Sequence, residues 1–129
     1  MSTPAPGTLA WFEVATDNPE AAEKFYGSLF DWSFDSSGSQ TSGGLDYRNI
    51  TASGAQQAMG GLFATKGELP NHAVFYILVA DIEATCADAE QLGGTVINKR
   101  IGIGGGTPDF AYLRDPAGNQ FAVFTPRPE

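Results

Sequence analysis

The chain alternates short stretches of apolar and polar residues, interrupted twice by segments with helical spacing. Residues 8–15 are rich in apolar and β-favouring types and read as a strand. Asp17-Asn18-Pro19-Glu20 follows. Asp17 or Asn18 can cap a helix, Pro19 suits its first turn, and Glu20 complements the positive end of the dipole. Ala22, Phe25, Tyr26 and Leu29 then recur at i, i+3, i+4, i+7, which predicts one apolar helical face. Residues 32–34, 45–51 and 58–64 read as strands, separated by Gly- and Ser-rich stretches such as 36–44.

The same order is then written again. Residues 72–79 predict a strand, and Asp81 caps a helix whose inner face is Ile82, Cys86, Ala89 and Leu92. Gly93-Gly94 ends it, as a left-handed C-cap requires. Residues 95–101, 110–114 and 120–125 read as strands, the last two joined by the turn Asp115-Pro116-Ala117-Gly118-Asn119. At an offset of 63, Glu20-Ala21 meets Glu83-Ala84 and Leu29 meets Leu92, the mark of a duplicated supersecondary unit. The expected organisation is one α+β domain over 1–129: module one at about 1–65, a linker at about 66–71, and module two at about 72–129.

Composition narrows the function classes. Apolar residues at 42% and charged residues at 17% fit a globular domain with a real core. A net charge of −8 argues against nucleic acid and anionic membranes, whose binding depends on Lys and Arg, and favours approach of cationic ligands. No apolar run reaches the ~20 residues that span a bilayer, and the first residues lack the pattern of a secretory signal. With a single cysteine, Cys86, this fits a cytoplasmic setting.

Three segments resemble the vicinal oxygen chelate superfamily of glyoxalases, bleomycin-resistance proteins and extradiol dioxygenases. They are Trp11-Phe12-Glu13-Val14 with Asp17-Asn18-Pro19-Glu20-Ala21-Ala22-Glu23-Lys24-Phe25-Tyr26, then Leu92-Gly93-Gly94-Thr95-Val96, and finally Asp115-Pro116-Ala117-Gly118-Asn119. The resemblance implies two tandem βαβββ modules, each a curved and mostly antiparallel sheet, around a cleft. Metal-dependent members of that superfamily bind one divalent ion through a His or Gln on each module's first strand and a Glu on each last strand. The matching positions here are Trp11, Val74 and Ala122, with the fourth inside Ala58-Met59-Gly60-Gly61. Indole, isopropyl and methyl groups cannot ligate a metal, so no metal or other cofactor is expected. His72, the single histidine, sits two residues before Val74 and reads as a surface or supporting residue.

Strand alternation extends this set. Trp11, Glu13 and Ala15 share a face, as do Val74, Tyr76 and Leu78, and Gln120, Ala122 and Phe124. The expected ligand-binding residues are therefore Trp11, Glu13, Val74, Tyr76, Ala122 and Phe124, joined by Tyr47, Phe110 and Tyr112, whose facing alternation leaves open. Phe12, Phe25, Phe75 and Phe121 are expected in the core. Glu13 has three readings: a counter-ion for a cationic ligand, a general base, or a rim carboxylate paired with Arg48, Arg100 or Arg114. Gly102-Ile103-Gly104-Gly105-Gly106-Thr107 lacks the Lys-Ser/Thr ending of a phosphate loop and joins two strands, so it reads as a hairpin loop. Cys86 reads as inert core.

These features predict a metal-free homodimer that sequesters an aromatic or polycyclic natural product, as bleomycin-resistance proteins do. The alternatives are a metal-independent glyoxalase-like isomerase or lyase using Glu13 or a tyrosine as acid/base, and a ligand sensor without activity.

Overall fold

The computed structural model describes residues 5–36, 46–67, 70–102 and 108–125. The phosphate-loop candidate lies almost wholly outside them, as does most of the Gly/Ser-rich stretch 36–44. The chain forms two compact units: Trp11–Ala73, and the residues from Val74 onward together with those before Trp11.

The first unit holds β1 (Leu9–Thr16, from Trp11), α1 (Pro19–Phe30), β2 (Ser33–Asp35), β3 (Tyr47–Thr51) and β4 (Gly60–Ala64). Its strands lie in the order β2-β3-β4-β1, with β1 and β4 parallel and the other neighbours antiparallel. The second unit repeats this with β5 (His72–Leu78, from Val74), α2 (Ile82–Gln91), β6 (Thr95–Arg100), β7 (Asp109–Arg114) and β8 (Gln120–Thr125), in the order β6-β7-β8-β5. Here β5 and β8 are parallel. The two units share one connectivity, as the internal repeat predicts, and the class is α+β with mostly antiparallel pairing.

Local chemistry sets the helix ends. The Asn18 side chain accepts from the Ala21 amide at 3.1 Å and Asp81 accepts from Ala84 at 3.1 Å, each satisfying an amide that has no partner within its helix. Gly93 takes φ +97° after α2. α1 instead ends on Asp31 at φ 62°, a left-handed cap without glycine that the sequence reading missed.

In the second unit α2 packs Ile82 and Cys86 onto Ala111, Leu113 and Val123, with Ile77, Val79 and Phe121 around them. Cys86 is buried in this cluster and burial pushes its thiol pKa up, which keeps it protonated and unreactive. Leu92, expected on this inner face, is 79% exposed, because α2 ends at Gln91 and the chain turns away at Gly93.

α1 departs further from its expected orientation. Phe25 and Leu29 are 60% and 58% exposed, whereas Ala22, Glu23, Tyr26 and Gly27 are half-buried. Two long-range partners set this rotation. Arg48 on β3 binds Glu23 and, at 3.4 Å, Glu20, and Trp32 stacks on Tyr26 with centroids 5.3 Å apart. Asp46 also holds Arg48 at 3.1 Å, and the carboxylates of Asp46 and then Glu23 push the guanidinium pKa upward. Phe75, also expected in the core, is exposed and stacks on Phe121 at 6.1 Å; α2 packs on β6, β7 and β8 rather than over β5, which carries Phe75.

Candidate functional site

In each unit one sheet face is taken by the helix, and the candidate residues lie on the other. In the first unit the helix side is marked by Phe12, whose ring lies 5.7 Å from Trp32, and by Arg48 with its α1 partners. Alternation then puts Trp11, Glu13 and Ala15 of β1 on the opposite side, with Tyr47 and Asn49 of β3. Register adds Gly61 and Phe63: Tyr47 lies opposite Phe63, Asn49 opposite Gly61, and Gly61 beside Glu13.

Gly61 leaves bare backbone in the row Asn49–Gly61–Glu13, and the Tyr47 ring folds over it. A Cβ added to Gly61 would lie 2.1 Å from both Cζ and Oη of Tyr47. The Trp11 indole N–H donates to Tyr47 Oη at 2.8 Å. The Tyr47 facing that alternation left open is thereby settled. Glu13 is only 6% exposed, so its carboxyl group lies in the fold rather than at a rim. Glu13, Tyr47 and Asn49 all have partners in the structure. Arg48, one proposed rim partner of Glu13, is engaged on the helix side instead.

The second unit has an equivalent row, Tyr112–Ala122–Tyr76. The two phenol oxygens meet 2.9 Å apart, and Ala122, with its single methyl, leaves room between the rings. The Tyr76 ring packs edge-on against Tyr112 and Phe124, and Phe110 edge-on against Tyr112, with centroids 5.6–6.2 Å apart. Phe110 lies opposite Phe124 in the register, which fixes its facing along with that of Tyr112. Val74, Tyr76 and Ala122 are buried, while Phe110, Tyr112 and Phe124 keep part of their surface exposed. Edge-to-face packing of this kind is the favoured geometry for aromatic rings and presents mixed faces and edges to a flat ligand.

The expected residues thus fall into two clusters: Trp11, Glu13 and Tyr47 on the first unit, and Val74, Tyr76, Phe110, Tyr112, Ala122 and Phe124 on the second. Asn49 and Phe63 lie on this face and were not among the expected residues, while Gly61 falls within the range 58–61 left open for the remaining position. Tyr47 carried the signal for Asn49, which lies two residues on along the same strand and so shares its face.

Register also locates the unassigned ligand position. Glu13 is to Gly61 as Tyr76 is to Ala122, each pair side by side on parallel strands. The four positions are then Trp11, Gly61, Val74 and Ala122, and none offers a donor to a metal. Among the described residues no three His, Cys, Asp or Glu side chains gather as a metal would need. The residues present do not fit the ion. His72 places Nδ1 2.8 Å from the Pro70 carbonyl, which only accepts, so that nitrogen carries the hydrogen.

Twin βαβββ units with a helix-free face on each define the vicinal oxygen chelate class. Within it the chain belongs to the glyoxalase-like domain family, which it matches over residues 11–124. The CFP32 protein of Mycobacterium tuberculosis, named as a glyoxylase, is 35% identical over 123 residues. The match covers 95% of this chain and 46% of that protein, so the chain spans about half the length of this relative. A glyoxylase-like domain-containing protein of Didymella fabae is 30% identical, with 92% of this chain and 94% of that one covered. Among solved structures, the hypothetical protein BH1468 of Bacillus halodurans superposes with a TM-score of 0.64 at 15% identity, covering 95% and 96% of the two chains. Methylmalonyl-CoA epimerase of Mycobacterium tuberculosis gives 0.58 at 14% identity, covering 99% and 93%. At such identities the likeness shows the fold.

No helix among the described residues is long and apolar enough to cross a membrane.

Proposed function

We propose that this protein is a metal-free binder that sequesters an aromatic or polycyclic small molecule in the cytoplasm, as an antibiotic-resistance protein does. The observation that carries this reading is the edge-to-face set Tyr112, Phe110 and Phe124, partly exposed around the buried Tyr76 on a sheet face that no helix of its own unit covers. Flat ligands bind such surfaces by stacking and area burial, with a few polar groups setting orientation. Within the second unit Val74 and Ala122 supply apolar floor, and the first unit by itself presents the more polar set Trp11, Glu13 and Tyr47. The absence of metal donors at Trp11, Gly61, Val74 and Ala122 removes the means by which metal-dependent relatives act.

A second reading, a metal-independent lyase or isomerase, is favoured by one observation: Glu13, a carboxylic acid buried to 6% exposure, shares a face with a phenol. Acids of this kind act as general bases when held near a substrate. The names of the mycobacterial glyoxylase and epimerase neighbours lend it support.

Native mass spectrometry against a panel of antibiotics and aromatic metabolites tests the proposal. A stoichiometric complex whose ligand is recovered unchanged supports sequestration, and recovery of an altered ligand over many turnovers replaces it with the enzymatic reading. The protein is further proposed to work as a homodimer. The mycobacterial relative is about twice the length of this chain, and two copies would match it. Light scattering at micromolar concentration should give twice the chain mass; a monomer mass refutes this.

A further inference from the structure

We infer that Arg100 and Arg114 make the ring-lined face of the second unit a site for a flat aromatic acid, whose carboxylate pairs with their guanidinium groups. This rests on the aromatic-binding reading above and names the charge the ligand carries.

Register puts both arginines on that face. Ala111, Leu113 and Val123 pack beneath α2, so Phe110, Tyr112, Arg114 and Phe124 point to the opposite side. Alternation alone would turn Asn98 and Arg100 toward α2, because Val96 packs against the cluster beneath that helix. A bulge reverses them. The register of β6 shifts between Val96 and Asn98, which leaves Ile97 as the extra residue. Beyond it Asn98 lies opposite Tyr112, Lys99 opposite Ala111 and Arg100 opposite Phe110. Lys99 has the helix-side facing that this requires, since it reaches Glu83 of α2 at 2.7 Å. Arg100 thus joins the row Arg100–Phe110–Phe124, which holds two of the partly exposed rings. Arg114 lies on β7 one step beyond Tyr112 on the same face. Bulges re-aim side chains in this way beside binding sites.

The charge of this face is opposite to that of the chain. The chain carries a net charge of −8, yet β6, β7 and β8 place no Asp or Glu on the ring side, because Asp109 shares the facing of Ala111. Arg48 and Lys99 are held by carboxylates, whereas among the described residues no salt bridge engages Arg100 or Arg114, and both are exposed. A guanidinium group offers a planar fork that matches a carboxylate through two parallel hydrogen bonds. The rings between the two arginines take the flat body of the same ligand. A cationic ligand drawn in by the net charge would meet like charge on this face.

Three probes with one flat skeleton test this: 2-naphthoate, 2-naphthamide and 2-naphthamidine, which are anionic, neutral and cationic. Each is titrated at low salt into the wild-type protein, with thermal unfolding as the check on folding of every variant. Wild type is expected to bind the naphthoate about fivefold more tightly than the amide, as an exposed ion pair allows, and the amidine most weakly. The preference should shrink as salt is raised. The double variant Arg100→Gln/Arg114→Gln should bind the amide as before and lose the preference for the acid, and each single variant should lose part of it. Lys99→Gln removes the same charge from the helix side and should leave the preference intact, which separates local pairing from net charge. The single variants carry the test if the double variant fails to fold. Equal binding of the three probes, or a preference for the amidine, overturns the acid site and leaves aromatic binding standing. So does a preference that survives the loss of both arginines or vanishes in Lys99→Gln. Binding of none of the probes overturns the aromatic-binding reading as well.

Discussion

Gly61→Ala is the sharpest probe of the packing on the first unit. The new methyl would lie 2.1 Å from Cζ and 2.2 Å from Cε1 of Tyr47, far inside van der Waals contact, so the ring must swing away. Overfilling a packed site costs about 1–3 kcal/mol. Moving the ring also breaks the Trp11–Tyr47 hydrogen bond, worth about 1 kcal/mol. The expected loss is about 2–4 kcal/mol, or roughly 10 °C in unfolding midpoint for a chain of this size. A double-mutant cycle isolates the cause. In a Tyr47→Ala background the methyl meets no ring, and Gly61→Ala should cost less than about 1 kcal/mol by urea unfolding. Gly60→Ala is the contrasting control. Its Cβ would lie 2.6 Å from the Phe12 carbonyl oxygen as well as from the Phe12 ring, and truncating Phe12 leaves the carbonyl in place. Rescue by Phe12→Ala should therefore be incomplete. If Gly61→Ala costs as much without the Tyr47 ring as with it, the ring does not lie over Gly61.

Leu113→Ala, in the fully buried cluster beneath α2, should destabilise by about 2–5 kcal/mol, while Phe25→Ala and Leu29→Ala on the outer face of α1 should each cost under about 1 kcal/mol; equal costs in chemical denaturation would contradict the rotation of α1. Asp115 closes the turn before β8 by accepting from the Asn119 side chain at 3.0 Å and from the amides of Asn119 and Ala117 at 2.9 Å; these bonds, the Asn119 side chain first, hold its pKa below the ordinary 3.8. A depressed carboxylate contributes stability that is present above its unfolded pKa and lost as pH falls through the folded one. The stability gap between wild type and Asp115→Ala should therefore close below about pH 4, and a gap that persists unchanged in acid refutes the linkage. Elemental analysis after brief chelation should find no stoichiometric divalent metal, and about one ion per chain would overturn the reading of Trp11, Gly61, Val74 and Ala122.

The repeat was legible because its signals are local. Asn18 and Asp81 cap the helices through contacts three residues away, and Gly93 needs only its own backbone freedom. The facing of α1 was not legible for the opposite reason. Spacing alone favours Phe25 and Leu29 as inner residues, but the helix is turned by Arg48, twenty-five residues from Glu23, and by the stacking of Trp32 on Tyr26. A charged residue at the inner position is not a pattern that apolar periodicity detects. Phe75 went astray similarly, since alternation gives its face but not whether the helix above covers it.

For the site, alternation found residues within a strand, and register was required to join the strands. Tyr47 could be placed only once it was known to lie opposite Phe63, and Phe110 once it lay opposite Phe124. Register also brings out a correspondence hidden by side-chain identity. Asn49–Gly61–Glu13 and Tyr112–Ala122–Tyr76 occupy equivalent rows, each with a small residue on the middle strand. In the second unit the small residue lets two phenols meet at 2.9 Å, and in the first it admits a phenol from the neighbouring row that an indole then holds. A Glu at either middle position, as a metal site would require, would occupy the space these tyrosines fill. Small residues and tyrosines therefore form linked sets: restoring a metal ligand at Gly61 or Ala122 by a single substitution would displace the aromatic side chains before it could bind an ion.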